Sequence, residues 1–262
     1  MSLKNTRALP LLFPLASLAL VCEPAWAETV AVPTDTVVKT DNAWRGSING
    51  GVSAASGDTS SVSVNLSATL DWASPTDKFT SALTGLYGTS TSDGTKSVSN
   101  NLVTLNTEYD HDLSDRVYAL GLFNAKRNEL QDLNFQASAG GGFGYHVVKT
   151  APTLFDVYTG LSYNYEQYKE GSRNYPELLL GENLVQKIGS KSAFNERVSV
   201  YPNLGYLGDL RTQVDLGLTT AINDHFQLKM TLSNSYQNHP LNGVKKVDTV
   251  FMTSIGYTFG PK

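Results

Sequence analysis

Leu210-Arg-Thr-Gln-Val214-Asp-Leu216-Gly-Leu218 and Phe226-Gln-Leu228-Lys-Met230-Thr-Leu232 decide the fold. In each stretch apolar side chains hold every second position, while Arg211, Gln213, Asp215 and Lys229 fall between them. Successive side chains of a strand point to opposite faces, so a period of two marks a sheet with one apolar and one polar side. The same alternation recurs in about twelve segments between Trp44 and Phe259.

Short polar breaks punctuate these segments at Ser74 to Lys78, His111 to Asp115, Lys149 to Pro152, Gly189 to Lys191 and Asn223 to His225. Their spacing of roughly 35 to 40 residues matches two strands of ~13 residues plus turns. A second set, Ser90 to Thr95, Arg127 to Asp132, Tyr168 to Pro176 and Asn238 to Lys246, is expected to form longer loops at the other end. Short periplasmic turns and longer outer loops are the asymmetry of bacterial barrels. The expectation is an all-β, antiparallel transmembrane β-barrel of about twelve strands over residues 43–262, with both termini periplasmic.

Aromatic residues fall in two bands. Trp44, Trp72, Phe79, Tyr109, Tyr118, Tyr145, Phe155, Phe194, Phe226 and Tyr257 lie near the end that holds the termini. Tyr87, Phe135, Tyr163, Tyr165 and Tyr236 mark the other end. These read as girdles at two membrane interfaces. Ten steps separate Phe226 from Tyr236, which at ~3.3 Å per residue and a ~40° tilt gives roughly 25 Å, the height of an outer-membrane apolar band. A soluble barrel with its apolar face inward would alternate equally well but would not need the girdles.

The amino terminus reads as an export signal over residues 1–27. Lys4 and Arg7 precede an apolar run from Ala8 to Val21, and Ala25-Trp26-Ala27 supplies the small-x-small site for cleavage between Ala27 and Glu28. Pro10 and Pro14 interrupt the run, which is too short for a spanning helix. Val21 is a poor residue to precede a lipidated Cys22. Cleavage would remove the only cysteine, leaving no disulfide and no thiolate. Residues 28–42 read as a short periplasmic lead-in. The formal net charge of −4 becomes one unit more negative without Lys4, Arg7 and Glu23, which argues against a nucleic-acid partner.

The polar parity is rich in Asn, Ser, Thr and Gly. Its charged lumen-lining candidates are Arg45, Asp71, Asp156, Arg211, Asp215, Lys229 and Asp248. Gly140, Gly142 and Gly144 share one inner parity, where missing side chains leave room for another chain segment. Charges in a narrow barrel usually pair and hold its shape, and that reading is favoured over a selective water-filled path.

No catalytic, cofactor or metal signature stands out. His111 and His225 adjoin Asp residues, but in turn segments where Asp is common for backbone reasons. His146 has no evident nucleophile beside it, and His239 lies in the last outer loop. No Gly-x-Ser-x-Gly elbow, His-Glu-x-x-His or phosphate-cradling glycine loop is present.

Several segments together resemble a known family. They are Trp44-Arg-Gly46, Ser56-Gly-Asp58-Thr59, Tyr109-Asp-His-Asp-Leu113-Ser-Asp-Arg116-Val-Tyr118, Tyr236-Gln-Asn238-His-Pro240 with Lys245-Lys246-Val-Asp248-Thr249, and Gly256-Tyr257-Thr-Phe259. As a set they are similar to the YdiY-like family, domain-of-unknown-function family 481, outer-membrane proteins described as salt-induced. Asp58 stands where the family pattern has Asn, and three residues follow Phe259. The resemblance implies an outer-membrane location and carries no activity with it.

The expected function is therefore a narrow channel or structural envelope protein linked to salt or acid stress, not an enzyme. The alternative is an outer-membrane hydrolase with its site in the lumen or outer loops. Expected partners are outer-membrane lipid, the barrel-assembly machinery through the final strand ending at Phe259, and small ions or solutes.

Overall fold

The structure, a computed structural model, describes residues 39–55, 59–206, 208–240 and 246–261. The export signal, its Ala27/Glu28 junction, the lead-in as far as residue 38, and Asp58 lie outside them. Twelve strands follow one another: β1 Trp44–Ala55, β2 Thr59–Ala73, β3 Asp77–Ser92, β4 Thr95–Asp112, β5 Val117–Asn128, β6 Leu133–Lys149, β7 Thr153–Tyr168, β8 Gly171–Ile188, β9 Ser192–Pro202, β10 Leu210–Ala221, β11 Phe226–Gln237 and β12 Val247–Phe259. Each pairs antiparallel with its chain neighbours, and β1 closes on β12, setting Gly46 opposite Phe259 and Gly50 opposite Ile255. Closure leaves the sheet without a free edge strand.

Parity decides the two faces. Val52, Leu66, Leu161, Phe251 and Ile255 stand on the outside and are exposed, as are Leu218 and Phe226 in the two stretches that opened the sequence. Between them Asp215, Lys229, Thr231 and Ser233 are buried inside the barrel. Two carboxylates break the outer rule: Glu182 on β8 and Glu196 on β9 share the outward parity, opposite Val198 and Leu184.

The end that carries the termini has five tight turns, between β2 and β3 and at every second connection after it. There residues 39–42 lie against the mouth. Asn42 N–H donates to the Ala73 carbonyl at 2.9 Å, and Arg45 pairs with Asp41 at 2.5 Å. At the opposite end the expected long loops are only partly present. Asp93-Gly94 joins β3 to β4 as a two-residue hairpin with both φ values positive, +51° and +75°. Lys169-Glu170 likewise suffices between β7 and β8, so Tyr168 to Pro176 is not a loop.

Pro176 sits inside β8, opposite Tyr163 of β7. The regular ladder with β9 begins only at Leu180; before it β8 meets the 203–209 connection, where Leu204 N–H donates to the Pro176 carbonyl at 2.9 Å and Glu177 bridges Asn203, a pairing that asks no N–H of Pro176. The longer connections are 203–209 and 238–246. A 3₁₀ turn, Glu129–Gln131, fills the β5–β6 connection, with Asn128 accepting the Leu130 and Gln131 amides. Among the described residues no helix is long and apolar enough to cross a membrane.

Candidate functional site: the lumen

The inner face is not uniformly polar. Tyr118, Leu120, Leu179 and Tyr201 form a buried apolar cluster, with Leu122 and Tyr158 packed against it. Leu86, Leu102 and Val250, joined by Met252, form a second. Both lie on inward parity, among a lining otherwise rich in Asn, Ser, Thr and Gly. Tyr118 in particular is not a girdle residue: it is buried inside and stacks on His146 at 4.7 Å between ring centroids.

The inner glycines explain how these rings fit. Cross-strand pairing runs Tyr118–Gly144–Tyr158–Gly181–Ser199 from β5 to β9. A Cβ on Gly144 would collide with the Tyr118 ring, and one on Gly181 with the Tyr158 ring. Each tyrosine thus lies across the glycine of the next strand, as in the aromatic covering of sheet glycines. The Tyr158 hydroxyl ends the row in a 2.8 Å hydrogen bond with Ser199 Oγ. One row further, Leu120–Gly142–Gly160–Leu179 sets the two leucines on either side of paired glycines. The glycine series does leave room, and neighbouring side chains fill it.

Ion pairs also join side chains inside the barrel. The Arg197 guanidinium of β9 donates to both oxygens of Glu108 on β4, at 2.7 and 3.1 Å. These strands are not neighbours in the barrel, so the pair crosses the lumen. Gln131, from the β5–β6 connection, likewise reaches Asp248 on β12. Nearer the loops, Arg211 donates to Glu177 at 3.0 Å and lies 3.9 Å over the Tyr201 ring. Arg173 donates to Glu166 at 2.5 Å, and that carboxylate also accepts from Tyr168, Tyr175, Asn164 and Gln136. Toward the termini, His146 bridges Asp156 at 2.7 Å and Asp112 at 3.1 Å, while Lys149 donates to Asp112 at 2.6 Å.

The sequence-derived candidates take definite places in this arrangement. Asp71, Asp156, Asp215, Lys229 and Asp248 are buried inside, and Arg211 is partly so. Asp215 accepts from Ser233 and Gln213 at 2.5 and 2.9 Å, and Lys229 lies in the field of Asp71. Arg45 sits at the mouth, held by Asp41 and the Pro261 carbonyl. Sequence reading missed Glu108, Glu166, Glu177, Arg173 and Arg197, the residues that do most of the pairing. Their signal was available, since Glu108 keeps the parity of Asn106 and Arg197 that of Asn195 and Ser199.

Above the Arg197–Glu108 pair, on the loop side, a cavity of about 140 Å³ remains, lined by β4 to β7 and β9 to β12. Among the described residues no His side chain hydrogen-bonds a hydroxyl. His111 binds Asp77 at 2.7 Å, His146 binds its two carboxylates, His225 stacks on Tyr257 and His239 packs on Tyr206. Among the described residues no group of three or more His, Cys, Asp or Glu is placed to hold a metal.

Residues 48–259 match the model of a family described as "Protein of unknown function, DUF481". The match covers most of the chain, which therefore belongs to that family. No curated protein matches it. Among solved structures, the chain is similar to an outer membrane channel from Pseudomonas putida F1, with 10% identity, a TM-score of 0.47, and coverage of 92% of this chain and 100% of that one. The NanC porin gives 10% identity and a TM-score of 0.44 over 82% and 97%. The translocator domain of the autotransporter NalP from Neisseria meningitidis gives 15% and 0.43 over 82% and 87%.

Proposed function

We propose that this family member is an outer-membrane barrel whose lumen is held nearly closed: a narrow, gated channel or structural envelope protein, not an enzyme and not a general diffusion pore. The observation that carries the reading is the Arg197–Glu108 pair, which crosses the lumen beside the Tyr118–Gly144–Tyr158–Gly181 row. A twelve-stranded barrel is only modestly wider than the eight-stranded kind that side chains fill, so few cross-lumen contacts suffice. The apolar outer face supports residence in lipid, and the outward Ile255, Tyr257 and Phe259 of β12 support recognition of that strand by the barrel-assembly machinery. The Ala25-Trp-Ala27 site supports export with cleavage before Glu28.

A link to salt or acid stress follows from the same chemistry. Salt screens charge pairs that water can reach, and acid neutralises their carboxylates, so both would loosen the closure. Recording from the purified protein in planar bilayers tests the reading. Wild type should be nearly silent at low salt, and the double variant Glu108→Gln, Arg197→Gln should show discrete openings. Large steady wild-type conductance, or a folded double variant as silent as wild type, would contradict it.

A further inference from the structure

The loop-side cavity holds more unused hydrogen-bonding capacity than a sealed plug needs. Gln136 spends its amide N–H₂ on Asn164 and Glu166, at 3.2 and 3.1 Å. Gln213 spends its own on Asp215 and Ser233, at 2.9 and 2.8 Å, and Asn124 donates to Ser138 at 3.4 Å. All three line the cavity, and among the described residues their amide oxygens accept nothing from the protein. Ser235 and Gln237 complete the wall. At Asn124, Gln136 and Gln213 the cavity therefore offers acceptors beside donors already committed.

Acceptors of this kind suit a ligand rich in O–H groups. The cavity's acids are engaged: Glu108 by Arg197, Glu166 by Arg173, Asp215 by Ser233 and Gln213, and Asp248 by Gln131. Away from Lys126 and Lys246 at the loop end of the cavity, neither an anion nor a cation would find a ready counter-charge without breaking one of these pairs, at the cost of an unpaired charge. Tyr168 and Leu133 add apolar wall. At about 140 Å³ the space is below the ~300–1,000 Å³ of sites for drug-sized ligands.

We propose that this cavity is a binding site for a small neutral polyhydroxylated solute, of polyol or monosaccharide size, which enters from the loop end and is held by the amide oxygens of Asn124, Gln136 and Gln213. The site rests on the closed-lumen reading in one respect, because the Arg197–Glu108 pair forms its floor. Binding of this class is weak and reversible, with neutral hydrogen bonds contributing modestly each.

The test uses the folded protein in detergent, with D-glucose and sorbitol as probes and glycine betaine and sodium chloride as comparators. Saturation-transfer NMR and equilibrium dialysis read binding. Heat-dependent gel mobility confirms that every variant is folded. Saturable binding of glucose or sorbitol is expected, weakened by about five-fold in Gln213→Leu and in Gln136→Leu, the loss of roughly one hydrogen bond. Thr231→Ser should bind as wild type does. Absence of saturable binding for both probes, stronger binding of betaine or chloride, or binding indifferent to both glutamine changes would each overturn the proposal. Conductance is measured on the same preparations. A conducting wild type that still binds glucose would refute the closed lumen and leave the site standing, whereas a silent wild type that binds neither probe would do the reverse.

Discussion

The outer and inner faces of the same strands follow different rules. On β10 and β11 the outer residues Leu216, Leu218, Leu228, Met230 and Leu232 need only be apolar, because lipid makes no specific demand on them. The inner residues must each satisfy a particular partner, as Asp215 does with Ser233 and Gln213, or leave a polar group unpaired in a confined space. The outer face is therefore specified by composition and the inner face by pairing.

The largest expected effect breaks the outer rule. Leu216→Arg or Leu228→Arg should destabilise the folded barrel by ~2–4 kcal/mol, while Thr231→Ser on the inner parity should cost little. Folding into liposomes followed by heat-dependent gel mobility measures the difference. Equal tolerance of both substitutions would erase the distinction between the faces.

Next come the inner glycines. A Cβ on Gly142 would strike the backbone of Thr159 and Gly160, which cannot step aside as a side chain can. Gly142→Ala should cost ~1–3 kcal/mol by overpacking, whereas Gly85→Ala, which meets open space on the outer face, should be neutral or mildly stabilising. Urea unfolding of the two variants compares them. A neutral Gly142→Ala would mean that the tyrosine and leucine rows are not packed as described.

The two outward glutamates sharpen the comparison from the other side. Glu182→Leu and Glu196→Leu remove charges from the apolar face and should each stabilise the barrel by up to ~1 kcal/mol in lipid. A clear loss of stability would show that this part of the outer surface does not face lipid.

The smallest effect lies at the mouth, outside the strands. The Arg45 guanidinium lowers the Asp41 carboxyl from 3.8 to about 2. A depressed carboxyl contributes stability above its unfolded value, and that contribution is lost as pH falls through about 2. Both groups are open to solvent, so Asp41→Asn should abolish a slight, salt-sensitive stabilisation and leave neutral-pH folding intact. Acid titration of the unfolding midpoint, with and without added salt, checks it.

The same division explains what the sequence disclosed. Strand number, antiparallel order and closure were legible because the outer positions, Glu182 and Glu196 excepted, follow a period of two. So was the placement of Leu216 outside and Asp215 inside. Loop lengths were not: Asp93-Gly94 and Lys169-Glu170 turn in two residues, and polar composition does not distinguish the end of a strand from its solvated extension. Pro176 looked like a break because one strand's sequence does not show that its neighbour on that side, the 203–209 connection, asks only for the Pro176 carbonyl. Tyr118 looked like a girdle residue because an apolar ring near a strand end reads the same whether it meets lipid or the glycine of the next strand on the inner face. The Arg197–Glu108 pair joins residues 89 apart, on strands that meet only through the lumen.

The central claim is that the apolar parity faces lipid and the polar parity faces the lumen. It is tested most directly by single cysteines at positions 213 to 218 on β10, in protein expressed from residue 28 onward and so without Cys22, each carrying a bimane label in liposomes of brominated lipid. Strong quenching at 214, 216 and 218 with weak quenching at 213, 215 and 217 is the predicted result. Uniform quenching along the strand, or the opposite alternation, would contradict it.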